Sequence, residues 1–123
     1  MQDSGTLRGD LHALLNSAAE TFARGPGQFV PRLMREGGHH PEIAELLFTV
    51  VHTRRQAYRR ALALAIARGE LTPLVDQDLL IDLLIGPLWT RLLITRDPVT
   101  SEYVESIVDA VLAAFDPKPT SAG

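Results

Sequence analysis

The chain contains no cysteine. That excludes disulfide staples, thiolate metal sites and a cysteine nucleophile, and it fits a reducing, cytoplasmic setting. Apolar runs are also short, and none approaches the ~18 residues that a bilayer crossing requires. The opening MQDSGTLRGD has neither the basic nor the apolar part of a secretory leader, so no membrane partner is expected. Positive charge is not in excess: 12 Lys and Arg stand against 15 Asp and Glu, a net charge of −3, which works against the chain acting by itself as a phosphate-backbone binder. HExxH, GxSxG, GxGxxG and P-loop signatures are all missing. The four histidines are His12, His39, His40 and His52, and the adjacent pair is poorly spaced to chelate one metal. No enzyme activity, catalytic residue, metal or cofactor is therefore expected.

What is present is one domain's worth of ordinary globular chain, with 123 residues, 46% of them hydrophobic and 22% charged. Apolar residues recur at helical spacing in five segments, and no segment alternates as a half-buried strand would. The spacing predicts an all-α fold. The first helix runs from Leu7 to Arg24, with Leu7, Leu11, Leu14, Leu15, Ala18 and Phe22 on one stripe and Gly25-Pro26-Gly27 ending it. A short second helix is expected over Gln28–Glu36. Pro41, at a favoured first position, opens a third that continues to Arg68 ahead of Gly69. Asp76 and Thr100 read as N-caps of a fourth helix reaching Arg96 and a fifth ending near Phe115. Residues 1–6 read as a flexible linker, 7–115 as the domain and 116–123 as a disordered tail.

At 100° per residue, Ile43, Leu47, Val50, Val51, Tyr58, Ala61 and Ala65 fall within about 60° of one direction on the third helix, and Arg54 points the same way. The other arginines of HTRRQAYRR lie on a mixed polar face and read as solvated rather than as a nucleic-acid stripe. A guanidinium cannot shed its proton inside a protein. Arg54 therefore either forms a buried ion pair with Asp82, the lone charge in the first half of the fourth helix, or lines a cavity and meets an anionic or carbonyl ligand. That fourth helix is apolar on nearly every side from Leu79 to Leu93, more than so small a domain can hide. The fifth helix has a wide apolar arc of its own. Together they predict a homodimer through a two-fold four-helix bundle, with Leu84, Leu88, Arg91, Val104, Ile107, Val108, Val111, Leu112 and Phe115 at the interface. Gly86-Pro87 should kink the fourth helix, either opening space beside Trp89 or merely accommodating packing.

The stretch from Arg68 to Phe115, with RGEL, an acidic cap, GPLWTRLL and a closing amphipathic helix in order, resembles the end of TetR-family transcriptional regulators. SGTLRGDLHALL, Ser4 to Leu15, resembles the linker and first helix of the same regulatory domain. The likeness covers nearly the whole chain. It implies an all-helical domain that binds a small effector and dimerises through its last two helices, as part of a repressor released from operator DNA by that effector. The family's N-terminal helix-turn-helix head, through which DNA would be bound, is expected to be absent from this chain. An effector cavity would be bordered by Phe22, Phe29, Met34, Arg54, Tyr58, Asp82 and Trp89, apolar with few polar groups. The alternative is a structural dimerisation domain with no physiological ligand, its interior filled by its own side chains.

Overall fold

The computed structural model describes residues 5–23 and 40–115, with Phe22, Ala23, Ile43, Leu47 and Leu93 described by backbone alone. The expected helix over Gln28–Glu36, the pocket candidates Phe29 and Met34, most of the 1–6 linker and the 116–123 tail lie outside the described residues. Within them are four α-helices and no strand: α1 Leu7–Ala23, α2 Pro41–Ala67, α3 Gln77–Trp89 and α4 Ser101–Ala114. The all-α expectation holds, and the helix starts fall where the capping residues placed them.

Each start has a local cause. The Thr6 hydroxyl accepts from the Gly9 N–H at 3.1 Å and opens α1. Pro41 occupies the first turn of α2, where its missing N–H costs nothing. Asp76 accepts from the Leu79 N–H at 3.1 Å, and Thr100 from the Tyr103 N–H at 3.0 Å. Both satisfy backbone donors that the first helical turn leaves without partners.

The end of α2 is the most tightly specified point of the chain. Arg68 closes the helix, Gly69 takes a left-handed φ of 83°, and the N–H groups of Gly69 and Glu70 return to the carbonyls of Ile66 and Ala65 at 3.1 and 2.9 Å. This is the paired 5→2 and 6→1 closure of a Schellman motif. The turn then reaches across to α1. Glu70 Oε1 accepts the backbone N–H of Leu7 at 3.0 Å, and Arg68 bridges Glu70 at 2.6 Å and Asp10 at 3.8 Å. Asp10 has no solvent exposure. Leu71 completes the RGEL run by inserting into the core.

Around this junction α1 packs on α2, α3 and α4, and α3 packs on α2 and α4. The core is aliphatic: Leu7, Leu11, Leu15 and Ala18 from α1 meet Ala61, Leu62 and Ala65 from α2, Leu80, Ile81, Leu84 and Leu88 from α3, and Val104, Val108 and Val111 from α4. Pro87 lies inside α3. Two residues after Pro87 the chain leaves α3 for the wider winding of a π-helix, Thr90–Thr95, before Arg96 ends it with a φ of 62°. The expected kink is thus taken up as a change of helical pitch. Among the described residues no helix is long and apolar enough to cross a membrane.

Gly69→Ala should destabilise the protein by about 1 kcal/mol, measured by urea unfolding, from backbone strain alone, since a Cβ there would meet nothing within 4 Å. The Leu7 N–H first, and the Arg68 guanidinium second, hold the Glu70 carboxyl below its ordinary range. A depressed carboxyl pKa gives stability that is present above the unfolded value near pH 4.5 and is lost as pH falls through the folded value. Glu70→Gln should therefore lower the Tm at pH 7, and the gap from wild type should close as the pH falls below about 4.5 through the depressed folded value.

Candidate ligand cavity and candidate dimer face

Helices α2 and α3 meet along a line of charge. Arg55 and Arg59, one turn apart, face Asp78 and Asp82, one turn apart on α3. Arg55 reaches Asp82 at 2.8 Å and Asp78 at 3.4 Å, and Arg59 also pairs with Asp78. The Arg59 hydrogen bond is the main reason the Asp78 carboxyl is held below its usual range. This corrects the expected Arg54–Asp82 pair. Asp82 is 63% exposed and belongs to Arg55, so it lines no cavity. The reason is geometric. Leu80, Ile81, Leu84 and Leu88 fill the core from α3, which turns Asp82 toward the solvent edge, where a carboxylate keeps its water.

Arg54 has a different setting. With Tyr58, one turn further along α2, it lines a cavity of about 140 Å³ whose other wall is Leu14 and Ser17 on α1, with Ala57 between. Tyr58 is 3% exposed, and its hydroxyl has no hydrogen-bond partner among the described residues. Burial pushes the phenol up to about 12 against a smaller opposing pull from the Arg54 charge. The group thus stays a protonated donor at neutral pH. Of the other pocket candidates, Trp89 packs against the core as a half-buried side chain and does not line this cavity.

The second concavity is a groove of about 400 Å³ between α3 and α4. Leu83 and Pro87 form one side. Tyr103, Ser106, Ile107, Ala110, Val111 and Ala114 form the other. Ser106, Ala110 and Ala114 recur once per turn and are exposed, a run of small side chains along which a neighbouring helix could lie close. Leu79 and Leu83 are exposed beside it. Arg91 stacks on the Tyr103 ring, 3.7 Å from its centre, and donates to the Pro98 carbonyl at 3.1 Å.

Nine side chains were expected at a dimer interface, and the structure divides them. Ile107 and Val111 line the groove, and Arg91 touches its edge through Tyr103. Leu112 and Phe115 are half-buried against the core. Leu84, Leu88, Val104 and Val108, expected at the interface, are core instead, because the chain's own helices already bury them and they have no surface left to offer a partner. The groove positions that the wheels passed over are Leu83, Ser106, Ala110 and Ala114. The signal for Ser106, Ala110 and Ala114 is the one-per-turn recurrence of small residues, which a ranking by apolar size ignores.

With this architecture in place, comparison with known proteins is decisive for the family. Residues 1–111 match the model of the tetracyclin repressor-like C-terminal domain. The chain belongs to that family, the C-terminal domain of TetR-type transcription regulators. It is 31% identical over 107 residues to YdeS of Bacillus subtilis (strain 168), described as an uncharacterized HTH-type transcriptional regulator, covering 86% of this chain and 54% of that protein. The crystal structure of the TetR family transcription regulator SCO0332 superposes with a TM-score of 0.82 at 29% identity, covering 94% of this chain and 65% of that one. The chain thus spans about half the length of the curated relative and under two thirds of the solved one.

The placement of these residues has a measurable signature. Asp82→Ala should cost less than about 1 kcal/mol in urea unfolding, as expected of a rim ion pair, whereas loss of one partner from a buried pair would cost about 3 kcal/mol or more. Val108→Ala should cost about 2 kcal/mol through lost burial in the chain's own core.

Proposed function

We propose that this chain is the effector-sensing and dimerisation part of a TetR-family regulator acting in the cytoplasm. The observation that carries the dimer is the α3–α4 groove. It is an apolar trough flanked by exposed Leu79 and Leu83 and floored by one small residue per turn. A second copy related by a two-fold axis would lay its own α3 and α4 against the same features and bury both sets at once. In this reading operator DNA is contacted by a helix-turn-helix unit, the kind named in the description of YdeS, outside residues 7–115. A small effector seated between the helices of each subunit would shift the equilibrium between two dimer arrangements and so release DNA, making the regulator a repressor.

Sedimentation velocity over a hundredfold concentration range tests the dimer. Wild type should sediment as a dimer, and Ala110→Glu, which sets a carboxylate into the groove without touching the core, should sediment as a monomer with an unchanged helical circular dichroism spectrum. Leu74→Glu is the control. Leu74 is 91% exposed and lies outside the groove, so that variant should remain dimeric. A wild type that is monomeric throughout would overturn the proposal.

A further inference from the structure

The cavity between α1 and α2 is walled mostly by uncharged groups. Leu14 and Ala57 supply apolar surface, Ser17 a hydroxyl, and Tyr58 a ring and a phenol. Arg54 also borders it, but has further interactions within the chain, so the cavity does not call for a counter-ion. The atom left wanting is the Tyr58 hydroxyl. It is buried and has no hydrogen-bond partner among the described residues, an arrangement that costs stability and is uncommon in folded proteins. Burial, against a smaller opposing pull from the Arg54 charge, keeps this phenol protonated at neutral pH. A phenol donates a hydrogen bond more readily than it accepts one, because the ring draws on the oxygen lone pair, so the fitting partner is an acceptor. Ser17 is exposed, and the cavity opens to solvent on its α1 side. At about 140 Å³, against roughly 30 Å³ for a water molecule in the liquid, it holds a carbonyl group and a few carbon atoms.

We propose that this cavity receives a small neutral ligand with a carbonyl oxygen, a ketone, ester or amide, which accepts from the Tyr58 hydroxyl while its carbon chain lies against Leu14 and Ala57. The other classes fit less well. A hydrocarbon would fill the space and leave the hydroxyl without a partner. An ammonium ion would enter beside a guanidinium of like charge. A carboxylate would give up hydration that one phenol cannot replace, next to an arginine already engaged within the chain. A carbonyl oxygen is weakly hydrated by comparison and takes the one hydrogen bond on offer. The inference rests on the reading of this domain as an effector sensor and names the effector's class.

Isothermal titration calorimetry on the whole chain, with methyl ketones from butanone to octanone and the carboxylates and primary ammonium ions of matching length, provides the test. At least one ketone should bind about tenfold or more tightly than its carboxylate and its ammonium ion. Tyr58→Phe should weaken that ketone about threefold to tenfold, the range of one hydrogen bond between uncharged groups. Its Tm without ligand should be no lower than that of wild type, because the hydroxyl removed has no partner among the described residues. The infrared carbonyl stretch of the ketone should fall in frequency on binding to wild type and not on binding to Tyr58→Phe. Ser17→Leu, which closes the open side from an exposed position, should abolish ketone binding. A carboxylate that binds as well as the ketone, no binding by any ketone, or a ketone affinity indifferent to Tyr58→Phe or to Ser17→Leu would each overturn the inference. So would a lowered Tm in Tyr58→Phe, which would reveal a partner for the hydroxyl within the protein. Sedimentation of the same samples separates the two readings. A dimeric protein that ignores ketones overturns only this inference, and a monomeric one overturns the regulator reading as well.

Discussion

Asp10 is a carboxylate with no exposure to water, placed in the first turn of α1, and its burial conditions much of the fold. A charge taken out of water demands a partner held in position. That partner, Arg68, is the residue that caps the C-terminus of a helix 27 residues long. For Arg68 to arrive, α2 must end where it does. For α2 to end there, Gly69 must take a backbone conformation that side-chain-bearing residues resist. Once the chain has turned, Glu70 falls opposite the open N-terminus of α1 and accepts the Leu7 N–H, and the next residue, Leu71, drops into the core. Four consecutive residues thus fix the relative placement of α1 and α2, and α3 and α4 pack onto the surface that those two create.

Features set by nearest neighbours in the chain were legible before any coordinates. Pro41, Gly69, Asp76 and Thr100 act through backbone groups within a few residues of themselves, and each does what its chemistry dictates. The faces were harder. α3 is apolar almost all round, so its helical wheel has no clear inward direction, and Asp82 reads as the partner of Arg54 only because it is the lone charge in the first half of the helix. The shift from Arg54 to Arg55 as its partner is one residue, or 100° of rotation, and decides between a buried lock and a solvent-edge ladder. Asp10 was overlooked for the opposite reason: a polar residue beside an apolar stripe reads as surface until its distant partner is known. The interface expectation fails at Leu84, Leu88, Val104 and Val108 because the chain's own helices bury them, which a wheel of one helix cannot show.

The two concavities differ in what they can recognise. The α3–α4 groove is apolar, long and edged by small side chains, complementary to another helix surface and indifferent to charge. The α1–α2 cavity is small and donor-rich, complementary to a few atoms of definite polarity. They share no lining residue, yet the helices that wall them pack against each other, with α1 in contact with α2, α3 and α4 alike. A change in the spacing of α1 and α2 therefore reaches α4 through direct packing.

The RGEL junction also sets the mechanics of that change. Helices α1 and α2 are pinned together where Arg68 and Glu70 hold Asp10 and Leu7, and the cavity separates them at Leu14 and Ser17, ten residues along α1 from Leu7 to Ser17, or ~15 Å of helix. Two stiff rods fastened at one end and wedged part-way along their length behave as a pair of shears. If a ligand seats in the cavity as proposed, the junction would be the pivot and the cavity the place where force is applied, so the displacement would grow with distance from the pivot.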